Sequence, residues 1–194
     1  MIPALSKSSG IDTDSSGFEQ KGNYYYYDHS SAQPPRLYQQ ILSNAEKSID
    51  IWDPFFTKGA AHVFEKVTKD NICINILTKL QIKGPYDSQT EGELNDFVNQ
   101  IKSLFKKGAI PQLDVYCYKV KHFDKNWHDR YLIIDDKDVY LVGTSMDAQV
   151  STDKDFGIYH IVDKDECELI KMRMKSCKDA CTCNGYHSIG YHKQ

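Results

Sequence analysis

The chain has 194 residues, 40% of them hydrophobic and 26% charged, and a formal net charge of −3 from 24 basic and 27 acidic side chains. These values lie near the globular average and exclude a wholly disordered chain; the length suits one domain whose core needs no cross-links. No run approaches the roughly 18–20 apolar residues of a membrane span, no apolar leader core follows Met1, and the acidic balance argues against a broad nonspecific nucleic-acid coat. A cytoplasmic location is expected.

Residues 1–35 are rich in Ser, Gly, Asp and Gln and poor in aliphatics, and Pro34-Pro35 closes them. That composition predicts a flexible N-terminal arm. The run Tyr24-Tyr25-Tyr26-Tyr27 interrupts it; four aromatics suit an edge strand or a segment that orders only by packing on the domain or a partner.

The expected domain, 36–176, then alternates. Leu37, Ile41, Leu42 and Ala45 recur at helical spacing, and Ile49-Asp50-Ile51-Trp52 is a short strand ending at Pro54. Ala61, Val63, Phe64 and Val67 mark a second helix, and Ile72 to Leu77 a second strand. This rhythm predicts an α/β fold with parallel pairing. Thr90 and Glu93 form a capping box for a helix carrying Leu94, Phe97, Val98, Ile101, Leu104 and Phe105, which Gly108 ends.

The second half reads as strands at Leu113–Val120, Tyr131–Ile134, Val139–Val142 and Phe156–Val162, the middle two joined as a hairpin through Asp135-Asp136-Lys137-Asp138. Asp163 with Glu166 caps a last helix whose Cys167, Ile170, Met174 and Cys177 share a face. Cys73 and Cys117 sit in apolar runs and read as buried small hydrophobes. Residues 177–194 form a Cys/His-rich tail. Cys177, Cys181, Cys183 and His187 are zinc-ligand types, but C-x3-C-x-C is not a standard structural spacing, so redox pairing, S-acylation and a plain tail stand beside the zinc reading.

The chemistry concentrates in Trp127-His128-Asp129-Arg130-Tyr131-Leu132-Ile133-Ile134-Asp135, followed after a strand by Gly143-Thr144-Ser145-Met146-Asp147. The pattern is H-x-R-x4-D, then G-T-S. On a strand, His128 and Arg130 would share a face. An imidazole can attack phosphorus or shuttle a proton, and a guanidinium grips phosphate oxygens bidentately. Gly143 would let backbone approach a ligand, and Thr144 and Ser145 offer hydroxyls.

This segment resembles the signature of the phospholipase D superfamily, H-x-K-x4-D followed by G-S/T-x-N. The resemblance spans roughly residues 36–162 and includes Ile49-Asp50-Ile51-Trp52-Asp53-Pro54 and Ile74-Asn75-Ile76-Leu77-Thr78 as the first two strands. It implies a phospholipase D-like mixed sheet flanked by helices. His128 matches the nucleophile that forms a phosphohistidine intermediate, Arg130 stands at the phosphate-liganding lysine, and Asp135 matches the motif aspartate, more structural than catalytic. Thr144 or Ser145 matches the phosphate-contacting hydroxyl, and Asp155, twelve after Gly143, the acidic residue that orients the histidine. The implied reaction requires no metal or cofactor.

The chain departs from the family in three places. Arg130 replaces Lys, Met146 or Asp147 occupies the region of the Asn, and Asp155 is shorter than the usual Glu. A carboxylate at Asp147 would have to point away from a phosphodiester. Neither His29 nor His62 begins a second motif, so activity implies a homodimer in which two His128 residues meet across a twofold axis.

Small single-motif members of the family are commonly nucleases, so nucleic acid is the expected substrate. The rivals are a catalytically inactive module binding nucleic acid, lipid head groups or a protein, and a phospholipase acting on membrane lipid. The basic cluster Lys119, Lys121, His122, Lys125 could flank a phosphate groove, and Trp127 and Tyr131 could stack a base or pack internally. Lys102, Lys106 and Lys107 read as the solvated face of a helix.

Overall fold

The strands form where short runs are bounded by turns, and among the described residues nine of them join one sheet. In a computed structural model, which describes residues 18–27, 35–56, 60, 63–64, 66–67, 69, 71–78, 95–96, 99, 103, 112–117, 128–144, 146, 156–183 and 188–191, the strands are β1 (Phe18–Lys21), β2 (Tyr24–Tyr27), β3 (Ser48–Trp52), β4 (Cys73–Thr78), β5 (Gln112–Cys117), β6 (Tyr131–Ile134), β7 (Asp138–Val142), β8 (Phe156–Ile161) and β9 (Ser188–Tyr191). Their order is β1-β2-β8-β7-β6-β3-β4-β5-β9. The β3–β4 and β4–β5 pairs are parallel, as the helix–strand rhythm predicts, and the remaining pairs are antiparallel. The fold is thus a mixed sheet flanked by helices α1 (Pro35–Ser43) and α2 (Lys164–Cys183).

Successive side chains on a strand point to opposite faces, so each strand feeds two cores. On one face α1 lays Leu37, Tyr38, Ile41 and Leu42 on Ile49 and Ile51 of β3, Ile74 and Ile76 of β4, Leu132 and Ile134 of β6 and Ile158 of β8. Val63, Phe64 and Val67 join this core, and the described residues at 60, 63–64 and 66 lie in 3-10 turns. On the other face Cys167, Ile170, Met174 and Cys181 of α2 cover Trp52, Leu77, Ile133, Val139 and Ile161. Asp163 starts α2 as expected: its carboxylate accepts the Glu166 N–H at 2.9 Å. Of the helix expected at 90–108, the described residues 95–96, 99 and 103 are helical and exposed; the rest, including Thr90, Glu93 and Gly108, lies outside the described residues.

Two expected boundaries are corrected. Residues 18–27 of the supposed arm form a hairpin that extends the sheet: Gly22, at φ +58°, turns the chain, and Tyr24–Tyr27 pair with Phe156–Tyr159. At the other end, position 177 falls inside α2, which runs on to Cys183, and 188–191 add β9 to the β5 edge. Backbone pairing at open sheet edges outweighs the polar composition of both segments.

Candidate active site

The site forms where β3 and β6 lie side by side. Trp52 faces Tyr131 in register, so the next residues outward, Asp53 and Arg130, also meet. Pairing continues one step past β6, through the Val142 N–H to the Arg130 carbonyl at 2.9 Å. His128 therefore lies on the approach to the strand rather than within it, and the two-residue alternation expected of a strand does not fix its direction. Its side chain is exposed, and among the described residues it makes no hydrogen bond or ion pair. Asp129 sits beside it and bonds the Tyr131 hydroxyl; burial first, then the Asp129 charge, raise that phenol's pKa.

Arg130 is largely withdrawn from water. Its Nε stands 3.6 Å from Oδ1 of Asp53, an ion-pair distance rather than a hydrogen bond, and its guanidinium carbon lies 5.3 Å from the centre of the Phe55 ring. Asp53 is fully buried. Its Oδ1 accepts the Phe55 N–H at 2.9 Å, an Asx turn that starts the chain away from β3, and its Oδ2 accepts the Met146 N–H at 2.8 Å. The Asp53 backbone is held too: its N–H donates to the Leu77 carbonyl and its carbonyl accepts the Phe56 N–H, both at 3.1 Å. Tyr38 of α1 lies against this group. Its hydroxyl is pushed well above the usual phenol range, first by burial and then by the Asp53 charge, with Arg130 opposing.

Asp53 was not singled out by the sequence pattern, where it reads as the polar end of a strand before Pro54. The one available signal was an aspartate at the C-terminal end of a parallel strand, a position where α/β sheets gather functional groups.

Asp135 is remote from this group, at the opposite end of β6. Its two oxygens accept the backbone N–H groups of Glu46, Lys47 and Ser48 at 2.7–3.0 Å. Burial pulls its pKa up, but these three bonds together with the Lys47 charge outweigh it and leave the pKa below the ordinary value. Asp135 thus ties the β6–β7 turn to the loop that launches β3.

Gly143 also serves packing. Its N–H donates to the Gly157 carbonyl at 2.9 Å, and a Cβ at 143 would stand 2.9 Å from that same oxygen. A close approach that glycine permits here is to Gly157. Thr144 is half-buried just beyond, and Met146 is buried in the α1-side core. Ser145, Asp147, Asp155, Trp127 and the basic cluster at 119–125 lie outside the described residues.

The zinc-type residues divide similarly. Cys181 is buried under α2, its thiol pushed up to about 12 by burial and then by Cys177, itself half-buried. His187 and the Cys183 side chain lie outside the described residues, and among the described residues no three metal-ligating side chains cluster. No described helix is long and apolar enough to cross a membrane.

No protein-family model matches the chain, and no curated protein matches it in sequence. Among solved structures it is similar to NucT from Helicobacter pylori, with TM-score 0.49 and 17% identity over 74% of this chain and 86% of that one. It is similar to Nuc from Salmonella typhimurium, described as a phospholipase D family member, with TM-score 0.49 and 14% identity over 81% and 90%. The phosphatidylserine synthase of Haemophilus influenzae gives TM-score 0.46 and 12% identity over 87% of this chain and 40% of that one. At these identities the residue roles rest on this chain's own geometry.

Proposed function

We propose that the protein is a phosphodiesterase that cleaves nucleic acid as a homodimer through a phosphohistidine at His128. The observation that carries this reading is a guanidinium, Arg130, fixed by a buried carboxylate two residues from an exposed imidazole. Arg130 neutralises a phosphodiester anion, and Thr144 donates to one of its oxygens. His128 attacks phosphorus as the neutral ring. The bond to the leaving oxygen breaks, and that oxygen takes a proton from the protonated His128 of a second copy. The second ring, now neutral, removes a proton from water, and the water oxygen attacks phosphorus and releases His128. The products are a phosphomonoester and an alcohol. Asp155 is proposed to orient His128.

A second reading, a module that binds phosphate without cleaving it, is favoured by one observation: Met146, in the region of the family's asparagine, is buried and offers no polar side chain. Cleavage of single- and double-stranded DNA and RNA, and of phospholipid vesicles, by wild type and His128→Ala separates the readings. We expect nucleic-acid cleavage by wild type and its loss by a factor of about 100 or more in the variant. Binding without cleavage favours the inactive module, cleavage of vesicles alone favours the phospholipase, and cleavage unaffected by the substitution overturns the role of His128.

A further inference from the structure

Asp53 is a buried carboxylate that the proposed reaction does not consume. A carboxylate taken out of water costs several kcal/mol unless it is paired and hydrogen-bonded. Two backbone N–H groups, from Phe55 and Met146, meet its two oxygens, and Arg130 is its counter-ion. A lysine at 130, as in the family pattern, would bring a single compact ammonium. That charge could sit on Asp53 or on a phosphate, but it could not hold both in fixed geometry. A guanidinium presents a planar fork of five N–H groups. Here the Nε edge faces Asp53 and the plane is steadied by the Phe55 ring. Among the described residues no hydrogen bond or ion pair from the terminal nitrogens is found.

We propose that Asp53 is a positioning residue. It draws Arg130 towards it by charge, with Nε at 3.6 Å and not hydrogen-bonded, and so aims the two terminal nitrogens at the phosphate anion. Through the Met146 N–H it also fixes the segment that follows Thr144 against the end of β3. The arginine in place of lysine is then not an isolated departure but the partner that Asp53 requires. The identity of the anion rests on the phosphodiesterase reading; the coupling of Asp53 to Arg130 does not.

The test is a double-mutant cycle with wild type, Asp53→Asn, Arg130→Lys and the double variant, read by urea denaturation and by the rise in Tm on adding inorganic phosphate. Each single substitution is expected to lower the folding constant at least about 10-fold, and the double variant to fall no further than the worse single. The phosphate-induced rise in Tm is expected to vanish in folded Asp53→Asn as it does in Arg130→Lys, a loss that a purely structural role would not produce. Additive losses overturn the coupling. A phosphate response in Asp53→Asn equal to wild type, or none in wild type, overturns the aiming of Arg130. Should Asp53→Asn not fold, Arg130→Gln carries the test: it removes the guanidinium charge beside Asp53 and must lower the folding constant at least about 10-fold, and wild-type stability would overturn the proposal. Cleavage by His128→Ala at the wild-type rate overturns the catalytic reading alone and leaves the cycle untouched.

Discussion

Asp135 shows how one side chain can carry a fold. Its carboxylate gathers three backbone N–H groups from a loop 87 to 89 residues away in sequence. Removing it in Asp135→Ala should cost about 2 kcal/mol, read by urea denaturation, because these donors lose a charged acceptor and regain only water. Its folded pKa lies below the ordinary value, so its contribution is present above the unfolded pKa and fades as the pH falls below about 4. Wild type and Asp135→Asn should therefore converge in stability on acidification and diverge towards neutrality. Asp136, like Asp135, sits at positive φ, +54°, in the mirror-image turn of this hairpin. Asp136→Gly should stabilise the protein by up to about 1 kcal/mol, measured in the same way, since glycine occupies that backbone region without strain. The H-x-R-x4-D spacing brought Asp135 to notice, but nothing in it named the loop it holds. Asp53 was illegible for a similar reason: its partners Arg130 and Met146 are 77 and 93 positions further on, and an aspartate before proline reads locally as the end of a strand.

At the scale of elements, periodicity was a good guide where packing is repetitive. Cys167, Ile170, Met174 and Cys177 face the sheet because their spacing follows a helical stripe, and Cys181 continues it. Met174→Ala should cost about 2–5 kcal/mol in urea denaturation, since Met174 is 2% exposed between α2 and the sheet. The N-terminal hairpin was less legible. Its strands are only four residues each, and the Ser- and Gly-rich sequence around them gives no hydrophobic alternation to read. What seats β2 lies in β8: Gly157 has no Cβ, and one placed there would stand 2.1 Å from the Tyr24 hydroxyl. Gly157→Ala should therefore displace Tyr24 and loosen the hairpin. Hydrogen exchange should show lost protection in 18–27 with little change in β3 and β4; unchanged protection in 18–27 would contradict this account.

At the scale of the molecule, the ends of β3 and β6 bring Arg130 and the buried Asp53 together two residues after the exposed His128, which on the proposed reaction is one half of a catalytic pair. The α/β class, the parallel β3–β4 and β4–β5 pairs and the β6–β7 hairpin follow from local patterns. The second half of the site has no local pattern, because it would belong to another copy of the chain. The proposed reaction therefore needs two copies that share the chemistry. The most direct test is a mixed dimer of wild type and His128→Ala, purified through two different tags and assayed for nucleic-acid cleavage. If each reaction needs one His128 to attack and the other to protonate, the mixed dimer retains about 1% or less of wild-type activity, close to the dimer with both histidines replaced. A mixed dimer with half the wild-type rate would mean that each chain works alone, and would contradict the shared site.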